Sequence, residues 1–186
     1  MKITGEKVVF EGKHLKFVEQ GIIKPNGKPG VWEKVSRKHP GVVGAFVEHI
    51  DNNTFIFVEQ FRPPVNAKVL ELVAGVIDKP GKSYEEIIVE EIREETGYIA
   101  NHIEFVMSGP KSPGMTDEIS YDYYAQVNGV KKEQQLGDSE SIEVVEFDKK
   151  DLDKVIKSKE KSGVLISPGI YVVLYKLLTI GKFGIK

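Results

Sequence analysis

The 186-residue sequence contains no cysteine. This absence excludes disulfide bonds, thiol nucleophiles and zinc–thiolate sites, and it is consistent with a reducing cytoplasm. No apolar run approaches the roughly 20 residues that a membrane-spanning helix needs, and the N-terminus lacks the apolar stretch of a signal peptide. An excess of charge is also lacking, because the net charge is −2 at pH 7. We therefore expect a cytoplasmic protein that has neither a membrane nor a nucleic-acid partner.

The composition that remains, 40% hydrophobic and 29% charged residues, is typical of a globular domain. The first part of the sequence alternates in the manner of strands, and Asn26-Gly27 predicts the turn of a hairpin. A second hairpin is predicted around residues 51–53. Helices are predicted at 84–96, at 149–159 and from Pro168 to about residue 178. Because strands and helices are interspersed irregularly, the order predicts an α+β fold rather than a doubly wound one.

The helix predicted at 84–96 carries an unusual amount of negative charge. Ser83 and Glu86 have the spacing of a capping box, and Gly97 stands where a C-terminal cap glycine is expected. Within six residues the sequence contains Glu90, Glu91, Glu94 and Glu95. Like charges three and four residues apart on a helix repel by a few tenths of a kcal/mol per pair, so this segment requires an explanation.

Two interpretations of this helix are open from spacing alone. Glu91, Glu94 and Glu95 crowd one face, beside a stripe of isoleucines that is expected to be buried. The simpler interpretation is a solvated acidic surface. The alternative is a site for a hard divalent cation such as Mg²⁺, which prefers carboxylate oxygens. Arg93 is the only basic residue within the segment, so the charge is not relieved by neighbouring lysines.

Residues 71–98 resemble the Nudix box, G-x5-E-x7-R-E-U-x-E-E-x-G-U, where U is aliphatic or aromatic. The second half aligns without gaps on Glu91, Ile92, Glu94, Glu95, Gly97 and Tyr98. The resemblance implies a Nudix fold, in which a mixed β-sheet is sandwiched between α-helices. It also implies that Mg²⁺ or Mn²⁺ is bound against a diphosphate, with Glu91 and Glu95 as the principal ligands and Glu94 as a nearby catalytic or supporting carboxylate.

The first half of the box departs from the pattern in three ways. Gly75 and Glu91 are 16 positions apart where the pattern has 15, and the extra residue is most simply placed in the segment 78–82. Lys82 replaces the loop glutamate, and Glu90 replaces the arginine. Because acid and base have exchanged places, we expect Lys82 and Glu90 to form a reversed ion pair that orients the site. The competing interpretation is a box that has drifted and lost activity.

The segments around the box resemble those of ADP-ribose and nucleotide-sugar pyrophosphatases. The resemblance implies that Ala74 offers its carbonyl oxygen to a metal, that Arg62 lies near the diphosphate and that Glu71 lies near a ribose. Without the resemblance, Arg62 is equally well explained by a surface salt bridge. Pro113, 16 residues after Gly97, resembles a mark of the ADP-ribose branch, although Pro-Gly also forms an ordinary turn.

The resemblance also implies a general base and a role for the N-terminal segment. In the branch the base is usually a glutamate on a loop after the box, which favours Glu140, with Asp138 and Glu118 as alternatives. Residues 1–38 resemble an antiparallel β extension that forms domain-swapped homodimers, and residues 39–186 would be the Nudix domain. Phe17 and Trp32 are candidates to contact the substrate's base across the dimer interface, and either is equally suited to a core position.

The implied activity is metal-dependent hydrolysis of the diphosphate linkage of ADP-ribose or a related nucleoside diphosphate sugar, which yields a nucleoside monophosphate and a sugar phosphate. Three alternatives remain. The first is specificity for a UDP- or GDP-linked sugar. The second is a Nudix-fold protein that binds nucleotide sugars without cutting them, which the changes at Lys82 and Glu90 favour. The third is an unrelated α+β domain with a plain acidic surface helix.

Overall fold

A computed structural model describes residues 1–39, 41–138 and 140–183. Its contacts divide the chain into two compact units. The first comprises the described parts of residues 1–42, 76–78 and 108–120, and the second comprises the described parts of residues 43–75, 79–107 and 121–186. Among the described residues, no helix is both long and apolar enough to cross a bilayer.

The first unit is built on an antiparallel sheet of three strands, β1 (Lys2–Glu11), β2 (Leu15–Ile23) and β3 (Pro29–Arg37), in that order. The turn between β2 and β3 is the predicted one, since Gly27 has φ +78° and the N–H of Lys24 donates to the carbonyl of Lys28 at 2.9 Å. A left-handed residue of this kind is where glycine is favoured. The predicted N-terminal antiparallel β extension is confirmed.

The other elements follow the expected mixture of strands and helices. In chain order they are β4 (Gly41–His49), β5 (Thr54–Arg62), β6 (Ala67–Glu71), β7 (Val73–Val76), α1 (Tyr84–Thr96), β8 (Ala100–Pro110), β9 (Ile119–Val127), β10 (Ile142–Asp148), α2 (Leu152–Lys161), β11 (Leu165–Ile166) and α3 (Pro168–Thr179). Short 3₁₀ turns precede β6, at Pro63–Val65, and α2, at Lys149–Asp151. The predicted α+β class is confirmed.

The main sheet has the strand order β11-β6-β5-β4-β9-β8, with β10 paired to β5 and β7 paired to β4. Strand β10 pairs antiparallel with residues 54–60 of β5, whereas β4 pairs with residues 54–56 and β6 with residues 58–62 of the same strand. Strand β11 runs parallel to β6. The sheet is therefore mixed, as expected.

An aromatic core packs one side of the main sheet against α2 and α3. Phe46, Phe55 and Phe57 are buried, and the ring of Phe46 meets those of Phe55 and Phe57 edge-to-face at 4.9 and 5.3 Å. The helices contribute Ile156 from α2 and Ile170, Val173 and Leu177 from α3 to the same cluster. Fully burying each such side chain contributes about 1.5–3 kcal/mol. This cluster packs on strands β4, β5 and β6, and β5 and β6 end at Arg62 and Glu71.

Strand β5 is buried on both faces, because Ile56 and Val58, which point away from the aromatic core, are also inaccessible to solvent. Helix α1 contributes three fully buried isoleucines, Ile87, Ile88 and Ile92. A strand hidden on both sides requires cover on both sides, which agrees with a sheet between helices.

The structure differs from the sequence prediction, or adds to it, in three places. The apolar run 68–77 forms two strands, because β6 pairs with β5 and β7 pairs with β4. Helix α2 begins at Leu152 rather than at 149, since the 3₁₀ turn occupies the preceding residues. Strand β11 was not predicted, because two residues are too few to display a period of two.

Candidate active site

Helix α1 presents the glutamate cluster because both of its ends are fixed. The Ser83 hydroxyl accepts from the N–H of Glu86 at 3.2 Å, and the Glu86 carboxylate accepts from the N–H of Ser83 at 2.7 Å. Gly97 ends the helix with φ +76°. The predicted bounds, capping box and glycine cap are all present, so the register of the four glutamates is set by local interactions.

Glu95 is the most deeply buried acid of the cluster, with 5% of its surface exposed. Its Oε2 accepts from the N–H of Ala74, on β7, at 3.3 Å. The pKa of Glu95 is raised to about 8, mainly by burial and also by the charges of Glu91 and Glu140, against the lowering effects of the Ala74 hydrogen bond and the charge of Arg62. A carboxylate in such a place keeps its charge at neutral pH only if a cation compensates it.

Glu91 packs directly on Gly75. A Cβ atom at position 75 would lie 2.3 Å from Cδ and 2.5 Å from Oε1 of Glu91. No side chain fits there while Glu91 keeps its place, which gives a physical reason for the glycine at the start of the box. Burial raises the pKa of Glu91, while the nearby charge of Lys79 lowers it.

Lys79 lies within the glutamate cluster, where it was not predicted from the sequence. Its Nζ lies 3.2 Å from Glu90 Oε2, 3.3 Å from Glu91 Oε1 and 3.6 Å from Glu94 Oε2. Burial lowers the pKa of Lys79, but its hydrogen bond with Glu90 and the charges of Glu91 and Glu94 prevail and raise it above the usual range. The signals in the sequence were the extra residue of the segment 78–82 and its Pro-Gly pair.

The Lys82–Glu90 ion pair that the sequence predicted is present, with Nζ 2.5 Å from Oε1. Glu90 therefore receives one lysine on each carboxylate oxygen, Lys82 on Oε1 and Lys79 on Oε2. These two hydrogen bonds lower the pKa of Glu90. The orienting role that we expect of this pair stays a prediction.

Arg62 and Glu71 bind each other across neighbouring strands. Arg62 closes β5 and Glu71 closes β6, and Nε of the arginine lies 2.6 Å from Oε2 of the glutamate. The positive charge of Arg62 also acts on Glu95. The structure thus brings Arg62, Glu71 and Ala74 into the neighbourhood of the α1 glutamates. Their expected contacts with a metal, a diphosphate and a ribose remain predictions.

Glu140 is exposed, and its Oε2 accepts from the N–H of Gly137 at 2.8 Å. Its charge contributes to the raised pKa values of Glu91 and Glu95, so it belongs to the same neighbourhood. Of the two alternative bases, Asp138 is exposed on the same loop, and Glu118 is paired with Arg37 in the first unit.

The two aromatic candidates lie in the first unit. Phe17, on β2, lines an apolar pocket of about 400 Å³ together with Phe10, Leu15 and Val35. Trp32, on β3, is 44% exposed, and its Nε1 donates to the carbonyl of Gly114 at 3.3 Å. Neither side chain is a fully buried core residue, and contact with a substrate base stays a prediction for both.

The chemistry of the donor set suits a hard divalent cation, since Glu91, Glu94, Glu95 and the Ala74 carbonyl offer only oxygen. The Lys79 ammonium among these carboxylates shows that the cluster accepts positive charge. Within the described ranges, no three acidic or histidine side chains are already arranged as a ligand set. The residue types therefore fit a metal, while their present arrangement places an ammonium group among them.

Comparison with known proteins identifies the family of this chain. The NUDIX domain model matches residues 38–165. ADP-ribose pyrophosphatase of Bacillus subtilis is 34% identical over 86% of this chain and 84% of its own. The methanol dehydrogenase activator of Bacillus methanolicus is 29% identical over 90% and 87% of the two chains, and the ADP-sugar pyrophosphatase of Mus musculus is 31% identical over 81% and 74%.

A crystal structure of an ADP compounds hydrolase superposes with a TM-score of 0.74 over 98% of this chain and 96% of that one, at 17% sequence identity. This likeness supports the fold. The family match covers the sheet, the glutamate helix and the loop of Glu140, and it confirms the expectation that the sequence raised. The chain belongs to the NUDIX family and is a Nudix hydrolase.

Proposed function

We propose that this protein hydrolyses the diphosphate linkage of ADP-ribose or a related nucleoside diphosphate sugar, with Mg²⁺ or Mn²⁺ as cofactor, and that it works as a cytoplasmic homodimer. Members of the family generally use divalent metal ions. The observation that carries the proposal is the position of Glu91 and Glu95, which are held in partly or fully buried places beside Gly75 and Ala74. Burying two carboxylates this close together is costly unless a cation joins them.

Each predicted residue has a role in this proposal. Glu91, Glu95 and the Ala74 carbonyl would hold the metal, with Glu94 as a supporting carboxylate. When bound, a divalent ion neutralises diphosphate charge and lowers the pKa of water. Arg62 would donate to a phosphate oxygen, for which it must release or share its contact with Glu71.

Glu140 would take a proton from the attacking water, as a general base within reach of the site. The water oxygen bonds to a phosphorus atom, the bridging P–O bond of the diphosphate breaks, and the two products leave as a nucleoside monophosphate and a sugar phosphate. Glu71 would bind the ribose, and Phe17 and Trp32 would contact the base across a dimer interface. These assignments come from the resemblance together with the neighbourhood of the residues.

Two observations support a second candidate, a nucleotide-sugar binding or regulatory protein. Lys79 occupies the cluster with its own positive charge, and one relative is named as an activator of another enzyme. Lost hydrolysis with retained nucleotide binding would favour this candidate. The alternative substrates, UDP- and GDP-linked sugars, differ from ADP-ribose in the nucleotide base. The glutamates of α1 do not distinguish between these bases.

The test is product identification by mass spectrometry after incubation with Mg²⁺ and a panel of ADP-ribose, UDP-glucose and GDP-mannose. The variant Glu95→Gln removes one predicted ligand and should abolish turnover. The control Glu86→Gln removes one charge from the same helix at an exposed position, and glutamine also serves in a capping box. AMP and ribose 5-phosphate formed by the wild type and the control, but not by Glu95→Gln, would support the proposal. Equal turnover by both variants would refute the metal site.

A further inference from the structure

Lys79 is the nearest cation to the carboxylates of the proposed metal site. Its ammonium lies within 3.6 Å of three glutamates of α1, Glu90, Glu91 and Glu94, and its side chain is 27% exposed. Glu91 is one of the proposed ligands, Glu94 is the proposed supporting carboxylate, and Glu90 has neither role. An ammonium at this distance shares the oxygen atoms that a divalent cation would use.

A tight turn fixes the backbone of Lys79. Residues 79–82 form a turn in which the N–H of Lys82 donates to the carbonyl of Lys79 at 3.3 Å. Pro80 is the second residue and Gly81, with φ +83°, is the third, which is the sequence signature of a type II turn. Both ends of the turn carry a lysine, and both lysines bind Glu90. Two ion pairs with Glu90 therefore hold the turn against α1, and the Lys79 side chain also reaches Glu91 and Glu94.

We propose that Lys79 is a built-in counter-ion, which neutralises the carboxylate cluster in the metal-free protein and which a divalent metal must displace from Glu91 and Glu94. The inference rests on the proposed function, because it takes Glu91 as a metal ligand and Glu94 as its supporting carboxylate. An ammonium and a metal ion repel each other and compete for the same oxygen atoms. Lys79 therefore stabilises the metal-free site and weakens metal binding, so the protein loads only at higher free metal concentration.

The displaced Lys79 ammonium can keep its ion pair with Glu90. Glu90 lies outside the proposed ligand set and already binds Lys79 through Oε2. Lys79 can therefore leave Glu91 and Glu94 while it keeps one charged partner. This provides a role for the reversed charge at position 90, since an arginine there would repel Lys79 rather than hold it.

Lys82 provides a matched control. It sits at the other end of the same turn, carries the same charge and binds the same glutamate. Among the residues that the structure describes, its ion pair is with Glu90 alone. Replacing Lys82 or Lys79 by glutamine removes one unit of charge in each case, but only the second change frees the proposed ligands.

The test measures Mn²⁺ affinity by electron paramagnetic resonance of the free ion, with Mg²⁺ competition, at physiological ionic strength, where charges beyond about 8 Å are screened. Lys79→Gln should bind Mn²⁺ about tenfold more tightly than the wild type, which corresponds to about 1.4 kcal/mol. Lys82→Gln, which frees no proposed ligand, should bind Mn²⁺ no more tightly than the wild type, and Lys79→Arg, which keeps the charge, should resemble the wild type. In EDTA, Lys79→Gln should also unfold at a lower temperature than Lys82→Gln.

The possible failures are distinguishable. If Lys79→Gln binds Mn²⁺ no more tightly than the wild type, or if Lys82→Gln gains as much, the counter-ion inference is overturned and the metal site stands. If Lys79→Gln is as stable in EDTA as Lys82→Gln, Lys79 does not neutralise the metal-free cluster and the inference is likewise overturned. If neither the wild type nor any variant binds Mn²⁺ at millimolar concentration, the metal site of the proposed function fails, and the inference fails with it.

Discussion

Replacing Gly75 by alanine should separate activity from stability. The added Cβ would lie 2.3 Å from Glu91 Cδ, 2.4 Å from Cγ and 2.5 Å from Oε1, whereas ordinary van der Waals contact begins at 3.4 Å. The carboxyl group of Glu91 must therefore move by about 1 Å or more. Gly75 is not among the described glycines with positive φ, so alanine can adopt its backbone conformation.

This movement should lower the activity much more than it lowers the stability of the fold. The clashing atoms belong to a flexible side chain, and a glutamate forced off its preferred rotamer costs about 0.5–1.5 kcal/mol. A misplacement of about 1 Å in a catalytic group can cost about a hundredfold in rate. We therefore expect Gly75→Ala to unfold within a few degrees of the wild type, with kcat/KM about a hundredfold lower and weaker Mn²⁺ binding.

The assay compares kcat/KM on the best substrate of the panel, Mn²⁺ affinity and melting temperature. Gly109→Ala is the matched control, because a Cβ at that position meets no atom within 4 Å. A double-mutant cycle with Glu91→Gln adds a sharper criterion. If Gly75 acts through Glu91, the double variant should be no slower than Glu91→Gln alone. Wild-type activity in Gly75→Ala, or losses that multiply in the double variant, would refute the reasoning.

Three further predictions concern the cap, the buried acid and the base. Ser83→Ala removes the side-chain cap of α1 and should destabilise the protein by about 1 kcal/mol, measured by urea unfolding, whereas Ser83→Asn should restore most of the loss. In EDTA, the folded protein holds the Glu95 proton up to about pH 8, whereas the unfolded chain releases it near the ordinary pKa of 4.5. The metal-free fold should therefore lose stability as the pH rises from about 4.5 to about 8. Glu95→Gln should flatten this dependence, and a variant with the wild-type slope would contradict the assignment. Glu140→Gln should lower kcat about a hundredfold or more while Mn²⁺ affinity stays near the wild-type value, and a large loss of affinity would instead make Glu140 a ligand.

Features set by neighbouring residues were predictable from the sequence. The bounds of α1 follow from a capping box and a glycine cap within one segment, and α3 begins at Pro168 as expected. The hairpin at Asn26-Gly27 was also correctly placed. Each of these signals acts over a few residues, so no knowledge of the distant chain is required.

Features set by distant partners were not predictable from local pattern. Residues 68–77 form one apolar run, and nothing within the run reveals that its two halves pair with different strands. Contact between Arg62 and Glu71 likewise depends on the register of β5 against β6. The sequence contained both charges, but a single pattern cannot tell a salt bridge from a substrate contact. Phe17 and Trp32 are a second example, because the sequence could not tell whether these aromatic residues belong to the core or contact a substrate's base.

The three departures from the Nudix box are parts of one local structure. The extra residue lies in the segment where the type II turn forms, and that turn places Lys79 and Lys82 on the same carboxylate of Glu90. The box pattern has an acid in the loop and a base on the helix, whereas this chain has a base and an acid at those positions, and the two form an ion pair. A drifted box would be expected to lose such contacts independently. Here the three changes depend on one another, because the lengthened loop forms the turn and the turn's two lysines both bind Glu90. This mutual dependence argues against the interpretation that the box has drifted and lost activity.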